Sequence, residues 1–530
     1  MLDWLIRNGT IVSGDGKSCA RGDLAIANGR IVDMGDDLSE RSAECVLDAS
    51  GRLVTPGFVD IHSHCDLYPL AQPQAPAMVH QGITTALAGN CSLSVAPCDC
   101  GIVPLWSRMF ESIWGKAGEP WRWGTMKAYL DQAEQGDLSV NLCSLAGIGP
   151  IRLGLGGDGP EPCPPEEIFE ICIRALEQGA FGISLGLAYF PNCYSGTPEL
   201  EAAARATAAL GGFLAIHMAS YGDELIESTQ ACLQLAERTG CSLQISHLYA
   251  AGRRNWHKLR QSIEMIAEAN ARGVDVHFDR HPYAAGSTTI LSVLPPWAQE
   301  GGLDDIRERM WEPGVRDRIR RDLSTGLPQW DCFALLAGWT GIVVPTIPGA
   351  GATLSNMSIA QHAERLKCDE VDALARLIIE HGPTLPVVLH HMEEEGVVDV
   401  LRHPLGMVGS DSLFSDFPHP RTYGTYARWL EKYVRQENRI DLASAIRKAT
   451  SLPCEKMGIA DRGLLEAGRW ADLLVIDYQG LTDHSTFEEP TRFPDGIDSV
   501  FVNGQPAKLD GRLTKVHPGR VLRRRFCAEA

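Results

Sequence analysis

The sequence has no apolar run long enough to cross a bilayer. Its best candidate, Ala334 to Pro345, is too short and contains Thr340. The opening residues, Met1 to Gly9, carry an early acid and no apolar core, which argues against a signal peptide. Positive charge is scarce: 48 Lys and Arg against 67 Asp and Glu leave a formal net charge of −19, the wrong sign for gripping phosphates. The one basic cluster, Arg523-Arg524-Arg525, reads as a solvated tail. Sixteen cysteines in 530 residues show no regular spacing, so they read as reduced core thiols rather than a disulfide framework. A Gly-x-Ser-x-Gly elbow is missing, which removes support for a serine hydrolase. Gly154 to Gly159 is glycine-rich but lacks the strand–loop–helix setting of a phosphate cradle. These absences lead us to expect a soluble, cytoplasmic protein with neither a nucleic-acid nor a membrane partner. They leave homo-oligomerisation open.

What is present begins with two β-rich ends. Short apolar stretches at Trp4 to Ile6, Thr10 to Val12, Leu24 to Ile26 and Ile31 to Met34 are punctuated by Asn8-Gly9, Gly14-Asp15-Gly16 and Asn28-Gly29, the pattern of β-hairpins. The same texture returns at Asp472 to Asp477, Ser499 to Val502 with Asn503-Gly504, and Asp510-Gly511. Residues 1–57 and 461–530 are therefore expected to form one small β-sandwich domain. Between them, strands at Gly57 to Ile61, Thr84 to Ala88, Val140 to Ala146, Gly182 to Ser184, Phe213 to His217, Ser242 to His247, Val274 to Phe278 and Met407 to Ser410 alternate with amphipathic helices. That rhythm over residues 58–460 predicts an α/β fold, a (β/α)8 TIM-like barrel. Pro295-Pro296 and scattered glycines break it from 290 to 350, which predicts an insertion or lid over the barrel mouth.

Barrel enzymes carry their reactive groups at the C-terminal ends of strands. His62 and His64 follow the first strand as His-x-His, and residues two apart on an extended strand point the same way. Cys91 follows the second strand through Gly89-Asn90. His217 and His247 end two successive strands, and Asp411 closes a later one. One thiolate and two imidazoles make a tetrahedral Zn²⁺ set with a fourth position open, and Asp411 suits proton transfer from an activated water. His390-His391 precede what reads as a helix start and are taken as structural. Cys98 and Cys100 are taken as loop packing.

The segment Pro56-Gly57-Phe58-Val59-Asp60-Ile61-His62-Ser63-His64 resembles the first-strand motif of the amidohydrolase superfamily. Gly82-Ile83-Thr84-Thr85 with Gly89-Asn90-Cys91, Ile245 to Leu248, Pro282 to Thr288, Gly409-Ser410-Asp411 and His419 to Gly424 are similar to the D-aminoacylase, or N-acyl-D-amino-acid deacylase, branch. The likeness runs on through Ala445 to Thr450, Arg462-Gly463, Ala471-Asp472 and Val502-Asn503-Gly504, covering nearly the whole chain. It implies a zinc-dependent enzyme that hydrolyses an N-acyl-D-amino acid to a carboxylate and a D-amino acid. One tightly bound zinc would lie on Cys91, His217 and His247, with a second, weaker divalent position at His62, His64 and Asp411. Asp411 would be the general acid/base, Arg421 would hold the substrate carboxylate, and Tyr283 and Ser287 would hydrogen-bond in the same region. The chain departs from the family in four places. Tyr249, a candidate substrate contact, stands where a lysine that helps hold the substrate carboxylate is usual, Ile148 lies where histidine is common, and Ser92 and Ser412 replace glycines. These departures keep open the same metal chemistry on another amide, a lactam, a carbamate or an ester. A non-catalytic ligand-binding barrel would require a lost metal ligand, and none is lost.

Overall fold

The structure is a computed structural model that describes residues 1–17, 19–115, 121–347 and 355–525. Eight parallel strand positions build the barrel: Phe58–Asp60, Ile83–Ala88, Asn141–Ser144 continuing as Ala146–Gly147, Gly182–Gly186, Phe213–His217, Ser242–Ile245, Val276–Arg280 and Gly406–Val408. Nearly every residue in them is buried, as parallel strands covered on both faces require. The ring closes where the Asp411 amide donates to the His62 carbonyl at 2.7 Å and the His64 amide to the Ser412 carbonyl at 3.1 Å. Amphipathic helices cover the outside. Leu225–Thr239, for example, turns Leu225, Cys232, Leu233, Leu235 and Ala236 inward and stops at Gly240, whose φ of 70° ends the helix.

Nine strands from both ends of the chain are joined in one hydrogen-bonded sheet. Its centre is the long strand Leu2–Val12, which pairs with Cys19–Ala27, Ala43–Asp48 and Leu53–Pro56. Leu473–Ile476 pairs with Leu53–Pro56 and leads on to Ile497–Val502, Gln505–Leu509 and Arg512–Leu513. Asn28-Gly29, Asn503-Gly504 and Asp510-Gly511 turn hairpins as expected, each pair at positive φ. Asn8-Gly9 does not. It lies inside Leu2–Val12, where the register with the neighbouring strand shifts between Ile6 and Gly9. A Cβ on Gly9 would sit 2.5 Å from Val54 Cγ2, so the glycine serves a bulge packed against a neighbour rather than a turn.

The chain between the seventh and eighth barrel strands carries its own antiparallel sheet of Gly286–Thr289, Pro386–Leu389, Ile342–Val344 and Met357–Ser358. This excursion is longer than the 290–350 insertion expected, of which residues 348–350 lie outside the described residues. The basic cluster near the C-terminus is not simply a solvated tail. The Leu142 amide donates to the Arg520 carbonyl and its carbonyl accepts from the Leu522 amide, both at 2.9 Å, Arg523 meets Asp131 and Glu134 at 2.8 and 3.0 Å, and Arg524 donates to the Met457 carbonyl. All fifteen cysteines among the described residues are free. No helix among them is long and apolar enough to cross a membrane.

Candidate active site

All six residues singled out as metal-centre candidates sit at the same end of the barrel. His62 and His64 leave the first strand, Cys91 the second, His247 the sixth and Asp411 the eighth, while His217 is the last residue of the fifth. Four residues here adopt left-handed backbone without being glycine: Cys91 at φ 53°, Ser92 at 69°, His247 at 34° and Asp411 at 50°. Such conformations cost on the order of 1–3 kcal/mol each and persist where surrounding bonds over-determine them. Those bonds are present. The Ser92 amide donates to Ser184 Oγ at 3.0 Å, and Ser92 Oγ accepts from the Gly149 amide at 2.6 Å. The His247 amide donates to Asp279 Oδ1 at 2.8 Å.

Two clusters of donor atoms result, each with all its atoms within 4.8 Å of one another: His62, Cys91 and His247, and His62, His64 and Asp411. Cys91 Sγ is 3.3 Å from His62 Nε2 and 3.4 Å from His247 Nε2. Cys91 is thus grouped with His62 and His247, whereas His217 stands beside the cluster with its ring centroid 4.5 Å from that of His247. Asp279 explains His62: its Oδ1 lies 3.0 Å from Nδ1 and turns Nε2 toward Cys91. The same carboxylate takes Gln244 Nε2 at 2.8 Å, so it is fully used inside the barrel wall. Asp279 went unnoticed in the sequence because it lies within a strand rather than in a motif of its own.

The electrostatics are those of a buried charge cluster. Burial works against a charged His62, but Asp279, Cys91 and Asp411 outweigh it and hold its imidazole well above the ordinary value. Burial favours a neutral Asp411, yet Arg421 and His62 hold its carboxyl well below the usual range. Burial, the largest cause in both cases, pushes His217 down to about 3 and the Cys91 thiol up, with the His62 and His64 charges adding to the first and those of Asp411 and Asp279 to the second. Asp411 divides its oxygens: Oδ1 lies 3.2 Å from His64 Nε2 and 3.6 Å from His62 Nε2, and Oδ2 lies 2.9 Å from Arg421 Nη1.

Beside these donors lies a cavity of about 50 Å³. Asp411, Arg421, Ser287 and Tyr249 line it, as do His217 and His247. Tyr283 does not. Its hydroxyl donates to Asp483 at 3.2 Å and its ring packs edge-on against His419, behind the cavity wall. The structure therefore gives Tyr283 a supporting place rather than a substrate contact. Tyr189, Tyr221, His281, Asp331 and His391 also line the space and were missed or set aside from sequence. His391 was read as structural because a helix follows it, but the helix is Glu394–Arg402 and His391 belongs to the loop facing the cavity. The pair Cys98 and Cys100 plays no part here.

A barrel that gathers a cysteine, imidazoles and a carboxylate at the C-terminal ends of its strands, next to a cavity, is built as a metal-assisted hydrolase. Residues 45–507 match the Amidohydrolase family. N-acyl-D-glutamate deacylase of Alcaligenes xylosoxydans xylosoxydans is 33% identical over 527 residues, covering 99% of this chain and 97% of that one. The crystal structure of N-acyl-D-glutamate deacylase from Bordetella bronchiseptica, complexed with zinc and a phosphonate inhibitor that mimics the tetrahedral intermediate, superposes with a TM-score of 0.82 at 30% identity, covering 99% of this chain and 100% of that one. A solved D-aminoacylase with a binuclear metal centre, activated by one metal and attenuated by a second, superposes at 0.84 with 27% identity and the same coverage. The chain belongs to the amidohydrolase family, in its N-acyl-D-amino-acid deacylase branch.

Proposed function

We propose that this chain is a zinc-dependent deacylase that hydrolyses N-acyl-D-amino acids to a carboxylate and a D-amino acid. The observation that carries the reading is the double engagement of Asp411, which joins the first-strand histidines to Arg421 at the edge of the cavity. The donor set fits zinc: a thiolate and imidazoles from different strands, with His217 Nδ1 buried and without a hydrogen-bond partner among the described residues. Cys91, His217 and His247 would hold the tight ion, and His62, His64 and Asp411 a second, weaker one. Bound there, zinc polarises the scissile carbonyl and lowers the pKa of water toward ~7.

The chain's own groups supply the rest. Asp411, kept ionised by Arg421 and His62, accepts a proton from the attacking water and returns it to the leaving amine nitrogen. Arg421 offers a planar guanidinium to the substrate α-carboxylate, with its Nε unpartnered among the described residues and its Nη2 3.4 Å from the Ser287 carbonyl. Asp279 fixes the orientation of His62. Fifteen free thiols support a reducing, cytoplasmic setting.

The test is hydrolysis of a panel of N-acetyl-D-amino acids by the purified protein alongside metal analysis. Turnover that tracks zinc content supports the reading. A zinc-loaded protein that turns over none of the panel refutes it and favours another amide, a lactam, a carbamate or an ester.

A further inference from the structure

We infer that the amino-acid side chain accepted by this centre is uncharged and apolar, and that Tyr249, together with Phe333 and His391, enforces the choice. The inference rests on the deacylase reading and goes beyond it by fixing the class of amino acid.

Among the described residues lining the cavity, Arg421 is the one lysine or arginine. Its guanidinium already faces Asp411 and has capacity for one substrate carboxylate. The charge of a bound metal would be met by Cys91 and Asp411. The nearest other guanidinium is that of Arg280, but it lies behind the Tyr249 ring, 5.4 Å from its centroid. Arg280 Nη1 donates to the Leu248 carbonyl and its Nη2 to the Tyr283 carbonyl and the Met392 sulfur, while its buried Nε has no hydrogen-bond partner among the described residues. Tyr249 therefore screens the cavity from the one cation that could have served a second carboxylate. The cavity histidines add no charge, since burial holds His391 at about 3 and His281 well below its ordinary value.

What faces the cavity instead is aromatic. Tyr249 stacks on Tyr221 at 4.4 Å between centroids, His391 packs on Tyr249 at 5.3 Å, and Phe333 packs on His391 at 5.5 Å. Trp330, Leu389 and Met392 extend the wall. The single carboxylate on this side, Asp331, accepts from Ser220 Oγ and the Tyr221 amide and would repel an anion further. A substrate with a second carboxylate would bury it without a partner, which is strongly penalised. An aliphatic or aromatic side chain buries apolar area against rings that suit it.

The experiment compares kcat/KM for N-acetyl-D-leucine, N-acetyl-D-phenylalanine and N-acetyl-D-glutamate. It uses the wild-type protein and the variants Tyr249→Phe, Tyr249→Lys and Phe333→Lys, with zinc content and circular dichroism recorded for each. We expect the wild type to favour leucine and phenylalanine over glutamate by roughly 100-fold or more. Tyr249→Phe keeps that preference. Either lysine variant narrows it by about tenfold or more, chiefly through a lower KM for the glutamate substrate. Should Tyr249→Lys fail to fold, Phe333→Lys, at a half-buried position on the insertion, carries the same test. A wild type that prefers N-acetyl-D-glutamate, or folded lysine variants with an unchanged ratio, overturns the assignment and leaves the deacylase reading standing. No turnover of any of the three by the zinc-loaded wild type overturns that reading, and this inference with it.

Discussion

In the proposed reaction Asp411 does two things that ordinarily conflict: it stays ionised while buried, and it exchanges a proton with water. Arg421 at 2.9 Å and His64 at 3.2 Å resolve the conflict by stabilising the carboxylate without blocking it. Asp411→Asn removes the charge at nearly constant shape. It should lower kcat by roughly 10³-fold or more while zinc stays bound, and full activity in that variant would sink the proposed proton transfer. Asp279 acts one step further back. Asp279→Ala frees the His62 ring and deprives the His247 amide of its acceptor, so zinc affinity should drop roughly 10- to 100-fold by competition with a chelator. The six strand-end residues were legible in the sequence because each follows a recognisable apolar strand. Asp279, Tyr189 and His391 were not, since a polar residue inside a strand or in a loop announces nothing until the loop is placed over the cavity. Tyr283 shows the converse: its motif was visible, but its hydroxyl is taken by Asp483, 200 residues away.

At the scale of elements, the barrel depends on close approach between neighbouring strand ends. A Cβ on Gly186 would lie 2.1 Å from the Cys91 carbonyl oxygen, with no side chain able to yield. Gly186→Ala should therefore push the Cys91 loop outward, lowering stability by about 1–3 kcal/mol in denaturant titration and reducing bound zinc. If neither changes, the strained Cys91 loop is not part of the zinc site. The βα alternation was readable because parallel strands buried on both faces are short, apolar and regularly spaced. The small sheet in the excursion between the seventh and eighth strands was not. Gly286–Thr289 pairs with Pro386–Leu389 across about a hundred residues, and neither stretch has a hairpin turn to declare its partner. Asn8-Gly9 misled for a related reason: the dipeptide that favours a tight turn also suits a bulge, and only the packing against Val54 distinguishes them.

For the molecule as a whole, the barrel and the terminal sheet are tied by a buried polar network. Arg462 pairs with Asp472 and donates to Asn503 Oδ1 at 2.7 Å, and Asn141 of the third barrel strand donates to Asp472 Oδ2 at 3.1 Å. Asn503 Nδ2 returns a bond to Asn141 Oδ1 at 2.8 Å. Both partners of the ion pair are 3% exposed, so Arg462→Ala leaves a buried carboxylate uncompensated. That change should cost about 3–5 kcal/mol of stability by denaturant titration, with kcat/KM unaltered at temperatures where the variant remains folded. A loss of activity without a loss of stability would mean that this junction serves the site directly. We propose one zinc-dependent centre at the barrel mouth that removes the acyl group from N-acyl-D-amino acids. Its most direct test is the hydrolysis of N-acetyl-D-leucine and N-acetyl-L-leucine by the same preparation, stripped by a chelator and then reloaded with zinc. The account predicts no turnover when stripped, recovery on reloading, and a preference for the D-substrate of roughly 100-fold. Cleavage of the L-substrate in preference, or unchanged activity after the zinc is removed, would contradict it.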